Sequence, residues 1–163
     1  ILLVGKIKVT VLFTPCHTQG HVSYYFEKQN NLETPVVFTG DTLFVGGCGN
    51  FNSGTPEQMY HAMYKVLGQL PPSTLVYCGH EYTKRNLSFA SHAEPDNKKI
   101  QEKVAWCDTV KCTIPSTIAS ELETNPFLRV HEKTIQQYTG ETDPIKAMFA
   151  VRKMKDSWGK SNY

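Results

Sequence analysis

Three residues with metal-binding side chains, His17, Asp41 and His80, each stand just beyond an apolar, β-branched run that stops at a turn residue. The segments are Thr14-Pro15-Cys16-His17, Phe38-Thr39-Gly40-Asp41 and Tyr77-Cys78-Gly79-His80. Two imidazoles and a carboxylate suit Zn²⁺ or a neighbouring first-row metal with a coordination position left open. The separations of 24 and 39 residues are far too long for a zinc finger and call for a site assembled by the fold. Asp41 supplies the one carboxylate, whose two oxygens can bridge a pair of cations in a two-metal hydrolytic site. Taken singly, a histidine after a strand is more often a core or surface residue, and an aspartate after glycine more often forms a turn. The repetition of one arrangement three times carries the metal reading.

If the preceding strands lie in one sheet, their ends share an edge, where ligand sites of open α/β sheets form. Residues 7–14, 22–28, 36–39 and 74–78 read as strands, with a further strand at the start of the chain. One helix interrupts them: Thr55-Pro56-Glu57-Gln58 is a capping box with proline in the first turn, Met59, Met63, Val66 and Leu70 recur at helical spacing, and Gly68 and Pro71-Pro72 end it. Gly40 and Gly79 let the chain turn sharply before Asp41 and His80. Beyond Tyr82 the pattern calls for no further strand. Helices are predicted after Glu94-Pro95-Asp96, after Pro115-Ser116-Thr117 and after Asp143-Pro144. The division is an α/β region over residues 1–82 and a helical lobe over residues 83–163.

The chain has 163 residues, 40% of them hydrophobic and 20% charged, which is an ordinary globular composition. A formal charge of +2 gives no reason to expect nucleic acid as a partner. Lysines interrupt the apolar opening too early for a membrane span. Five cysteines without a Cys-x-x-Cys pair argue against a disulfide framework and a thiolate zinc knuckle. Cys16, Cys48 and Cys78 lie near the site in sequence, and their ordinary reading is as small buried fillers. His21 follows His17 by four residues, but Pro15 and Gly20 disfavour a helix, so His21 is expected to open the next strand and point elsewhere. His61, His92 and His131 read as ordinary surface or lobe residues.

Thr14-Pro15-Cys16-His17-Thr18-Gln19-Gly20-His21, Phe38 through Phe44, Gly46-Gly47-Cys48-Gly49 and Tyr77 through Tyr82 together closely resemble glyoxalase II, the hydroxyacylglutathione hydrolases of the metallo-β-lactamase superfamily. The likeness continues through Ala93-Glu94-Pro95, Asn125-Pro126-Phe127 and Gly140 through Pro144. The resemblance implies an αββα sandwich followed by a helical substrate-binding lobe. It also implies two zinc ions, with iron or manganese as substitutes, His17 on one, His80 on the other and Asp41 bridging. The implied reaction is hydrolysis of S-D-lactoylglutathione, or a similar 2-hydroxyacyl glutathione thioester, by a metal-bound hydroxide. Tyr82 matches a glutathione-binding tyrosine of the family, and Arg152 with Lys155 match its basic pair. Asn50 and Asn52 stand where the family has lysine and tyrosine, which weakens the expected grip on glutathione.

The family's first metal motif, Thr-His-x-His-x-Asp-His, occurs nowhere in these residues. The expectation is therefore a C-terminal fragment: the C-terminal half of the sandwich over residues 1–82, inactive alone, with the missing N-terminal half as its partner. A cytoplasmic protein is expected, with the mitochondrial matrix as the alternative. Two other readings stay open, a glutathione persulfide dioxygenase and a non-catalytic paralogue acting as a binding module.

Overall fold

A computed structural model describes residues 1–29 and 33–161, the helix backbone alone over 159–161. Strands β1 (Leu2–Val4) and β2 (Ile7–Phe13) form a hairpin that turns at Gly5, whose φ is +62°. β2 pairs antiparallel with β3 (Val22–Phe26), and β3 antiparallel with β4 (Val36–Gly40). A short hairpin of β5 (Leu43–Phe44) and β6 (Gly47–Cys48) follows, then a helix, then β7 (Leu75–Cys78), which pairs parallel with β4. β8 (Ser116–Thr117) completes a six-stranded sheet in the order β1-β2-β3-β4-β7-β8. Two antiparallel steps from β2 to β4 and one parallel step to β7 make these three strands run the same way. Their C-terminal ends therefore lie at one edge of the sheet.

The helix between β6 and β7 starts as α1 (Pro56–Tyr60), with both bonds of the Thr55–Gln58 capping box present. It widens into a π turn over His61–Val66 and tightens into a 3₁₀ turn over Leu67–Gln69. Gly68 accommodates this winding, because a Cβ there would lie 2.6 Å from the Met63 carbonyl oxygen. The remaining helices are α2 (Thr83–Ala93), α3 (Lys98–Cys107), α4 (Ile118–Thr124), α5 (Lys133–Thr139) and α6 (Pro144–Ser161). Asp143 caps α6 by accepting from the Ile145 and Lys146 amides. None of the helices among the described residues is long and apolar enough to cross a membrane.

Several elements depart from the sequence expectation, among them the β5–β6 hairpin, too short to show a period. β8 is a strand where none was called for, because two residues of pairing against Leu75 and Val76 leave no periodic pattern. Helices α2 and α5 lack side-chain caps at their N-termini, so neither announces its start.

One core cluster joins Val37 and Val76 of the sheet to Met59, Met63 and Leu67 of the inserted helix and to Phe127, Ile135, Met148 and Val151 of the later segments. Burying a side chain of this size contributes about 1.5–3 kcal/mol. On the opposite face of the sheet Val11, Phe13, Tyr24 and Phe38 are exposed, with the Phe38 ring packed against Phe26 and Tyr77. Two ion pairs fasten the helical segments. Glu94 receives a two-point bond from Arg129 at 2.7 and 3.0 Å. Lys103 and Glu121, both buried, meet at 2.7 Å.

Candidate metal centre and adjoining cleft

At the shared sheet edge the three expected donors come together. His17 Nε2 and His80 Nε2 each lie 3.4 Å from the same atom, Asp41 Oδ2. Gly40 carries a φ of +49° that swings Asp41 off the end of β4, and the Gly79 amide donates to the Gly40 carbonyl at 2.8 Å, locking the two strand ends side by side.

The tautomer of His17 follows from its partner. Its Nδ1 sits 3.1 Å from the Asn50 carbonyl oxygen, which can only accept, so Nδ1 holds a proton and Nε2 is the ring atom left to serve as a metal donor. A second-atom anchor of this kind fixes the ring of a metal-binding histidine. Lone pairs of imidazole and carboxylate converging on one volume repel each other unless a cation lies between them. The donor chemistry thus fits a divalent ion, and the shared oxygen fits a bridge. Among the described residues no three His, Cys, Asp or Glu side chains close around a single point.

Glycines clear the space around these donors. A Cβ at Gly79 would lie 2.3 Å from Asp41 Oδ1, and one at Gly49 would lie 1.9 Å from the Asp41 carbonyl oxygen and 3.1 Å from His17 Nδ1. The Gly54 Cβ would strike Cys16 Cα at 2.3 Å, against the residue preceding His17.

His21 has a role the sequence did not disclose. It does precede β3 and it stays off the donor cluster, but its Nε2 accepts the Asp41 backbone N–H at 3.3 Å. Nδ1 therefore carries the proton and faces the Thr14 and Thr42 hydroxyls at 3.0 and 2.9 Å. Burial, then the neighbouring His17, push the His21 pKa down and keep the ring neutral. A Cβ on Gly40 would meet this ring at 2.8 Å. The only sequence signal was the four-residue spacing from His17.

Cys16 and Cys48 are buried, as small fillers would be, whereas Cys78 is partly exposed. Burial pushes the Cys16 thiol up to about 12 and the Cys48 thiol up to about 11, leaving both protonated near neutral pH. Cys78 Sγ donates to the His80 carbonyl at 3.3 Å.

A cleft of about 850 Å³ opens beside His17 and Asp41. Every residue expected to bind substrate lines it: Asn50, Asn52, Tyr82, Arg152 and Lys155. Tyr82 stacks on the His80 ring at 5.0 Å and meets Phe44 edge-on at 5.3 Å. Arg152 and Lys155 project from α6 and are both buried, Arg152 donating to the Cys48 carbonyl at 3.1 Å. Burial, then the Arg152 charge, lower the Lys155 pKa to about 8. The Asn52 amide nitrogen lies 3.4 Å from His17 Nδ1, so the asparagine loop sits beside the donor cluster.

The loop over Val45–Gly47, which joins the cleft residues Phe44 and Cys48, is held from the helical side. Glu121 Oε2 accepts the Gly46 amide at 2.8 Å, Asn125 donates to the Phe44 and Gly47 carbonyls, and Asn86 donates to the Val45 carbonyl. These three residues carried no functional signal in the sequence, because their partners are 41 to 81 positions away.

Residues 3–80 match the model of the "Metallo-beta-lactamase superfamily" and residues 81–158 match that of the "Hydroxyacylglutathione hydrolase C-terminus". Between them the two matches span residues 3–158. The chain is 48% identical over 163 residues to a "Hydroxyacylglutathione hydrolase-like protein" of Gallus gallus, covering 98% of this chain and 58% of the relative. It is 53% identical over 156 residues to a "Hydroxyacylglutathione hydrolase cytoplasmic" of Arabidopsis thaliana, covering 93% of this chain and 60% of the relative. The crystal structure of ETHE1 from Myxococcus xanthus superposes with a TM-score of 0.53 at 27% identity, over 96% of this chain and 56% of that one. The chain thus spans less than two thirds of the length of these relatives.

The two matches correct the expectation of a C-terminal fragment. Both the superfamily region and the C-terminal region are matched along nearly the whole chain, so the fold is not confined to the C-terminal half of a sandwich plus a lobe. A missing N-terminal half is likewise withdrawn as a partner. That expectation rested on the absence of one short histidine motif and on an opening inside an apolar run without methionine.

Proposed function

We propose that these residues serve a metal-dependent thioester hydrolase acting on S-D-lactoylglutathione or a similar 2-hydroxyacyl glutathione thioester. The observation that carries this reading is the approach of two imidazole nitrogens to one carboxylate oxygen at the mouth of a cleft whose far wall bears two buried cations. The names of the chicken and plant relatives support the same chemistry.

In this reading His17 and Asp41 would hold one divalent ion, and His80 and Asp41 the other. Zinc is the proposed element, with iron or manganese as substitutes. Ions held there would polarise the thioester carbonyl and acidify a water molecule. Arg152 and Lys155 would hold an anionic end of the glutathione moiety, and Tyr82 would present its ring and hydroxyl beside His80. The amides of Asn50 and Asn52 supply hydrogen bonds without charge, a weaker grip on a carboxylate than a cation gives. The departing thiol has an ordinary pKa of about 8.5, so glutathione leaves as thiolate near neutral pH without a strong general acid. The proposed division of labour follows the chain: residues 1–82 carry the donors and residues 83–163 the basic pair. A cytoplasmic location goes with this reading, supported by the name of the plant relative, with the mitochondrial matrix as the alternative.

The test is thiol release from S-D-lactoylglutathione by the full-length protein supplied with zinc, beside its Asp41→Asn variant. Turnover in the parent and its loss in the variant are expected; equal turnover in both, or none in the parent, contradicts the proposal.

A further inference from the structure

One turn of α6 carries a cation, a second cation and a carboxylate: Arg152, Lys155 and Asp156, at spacings that put them on neighbouring faces. Arg152 is 6% exposed and Lys155 is 9% exposed, while the Asp156 side chain is 51% exposed. Buried cations need anionic or carbonyl partners, and here they are short of them. Arg152 spends one donor on the Cys48 carbonyl and one on Asp156 Oδ1 at 2.7 Å, but its buried Nε has no partner among the described residues. No acceptor among the described residues bonds the Lys155 ammonium, which lies over the Phe89 ring at 5.4 Å from its centroid. Of two desolvated positive charges, one thus has a single, half-solvated carboxylate and the other has no carboxylate bonded to it among the described residues.

That carboxylate is poised to leave. A half-exposed aspartate regains hydration when it turns outward, which offsets part of the ion pair it gives up. A ligand carboxylate entering the cleft and reaching both cations would gain more than Asp156 gives, because it is held by two charges instead of one. While Asp156 stays, it repels that ligand.

We propose that Asp156 is a built-in stand-in for the ligand's carboxylate, neutralising Arg152 in the free protein and turning out to solvent when an anionic ligand seats between Arg152 and Lys155. It lowers affinity for the anionic end and so favours release of glutathione after the thioester is cut. This rests on the glutathione-thioester reading of the cleft.

The experiment measures calorimetric binding of glutathione, and of its diethyl ester lacking both carboxylates, to the full-length protein and to Asp156→Asn and Asp156→Glu. Glutathione is expected to bind Asp156→Asn about three- to tenfold more tightly than the parent. The ester should show no gain, and Asp156→Glu should behave as the parent. Unchanged or weaker glutathione binding by Asp156→Asn overturns the inference and would mark Asp156 as a mere brace for Arg152. An equal gain for the ester overturns it too, as general loosening. Failure of glutathione to bind either the parent or the variants removes the thioester reading along with the inference.

Discussion

Adding a single methyl group at Gly79 tests whether the Asp41 carboxylate must sit where it does. The new Cβ would lie 2.3 Å from Asp41 Oδ1 and 3.2–3.3 Å from the Gly40 carbonyl group. Comfortable contact between such atoms begins near 3.4 Å, so the carboxylate, as the movable end, must retreat by about 1 Å. Metal–ligand distances tolerate deviations of only about 0.2 Å, so a displacement of this size dislodges the proposed bridge from both ions. Loss of even an outer partner of a metal ligand lowers affinity by about 10–100-fold, and movement of the ligand itself should cost at least that, or about 1.4–2.8 kcal/mol. Overpacking costs folding stability about 1–3 kcal/mol, which a urea titration separates from the effect on metal. The assay is zinc affinity by competition with a chromophoric chelator, on folded Gly79→Ala and parent protein. Unchanged zinc affinity in a folded variant would refute the placement of Asp41 at the metal.

Other substitutions probe the cleft and its supports. Lys155, with its pKa lowered to about 8, is charged below that pH and neutral above it, so glutathione affinity should fall more steeply from pH 8 to 10 in the parent than in Lys155→Met, the thiol and amine of glutathione titrating alike in both. The folded state holds this proton less tightly than the unfolded chain, so the same group makes stability rise with pH between about 8 and 10.5, a slope that urea titrations of the two proteins would expose. Glu121→Ala strands the buried Lys103 ammonium and frees the Gly46 amide, and should destabilise the fold by about 3–5 kcal/mol in urea. Asn50→Lys keeps the backbone carbonyl that anchors His17 while adding a cation to the cleft, and should lower the Michaelis constant for lactoylglutathione; an unchanged value would detach Asn50 from substrate binding.

The gathering of His17, Asp41 and His80 was legible because a strand followed by a turn residue and a polar side chain is a local signal, and the sheet brings β2, β4 and β7 to one edge. The α1 start was legible for the same reason, since Thr55 and Gln58 cap each other within four residues. Asn50 carried less than its full meaning: its backbone carbonyl, not its side chain, anchors His17. His21 was expected to point elsewhere, and its hold on the Asp41 amide went unseen because the partner is 20 residues away. Glu121, Asn125 and Asn86 act over still longer separations, and no spacing rule announces a side chain that reaches across the molecule to a backbone group. α2 was overlooked because Tyr82 offers no capping side chain, and β8 because two residues show no alternation.

The account stands or falls on whether Asp41 joins two ions. Metal content of the purified full-length protein, measured with protein concentration for the parent, His17→Ala, His80→Ala and Asp41→Ala, tests this most directly. A bridging carboxylate predicts that each histidine variant loses about one ion per chain and that Asp41→Ala loses both. Full metal content in Asp41→Ala would contradict it.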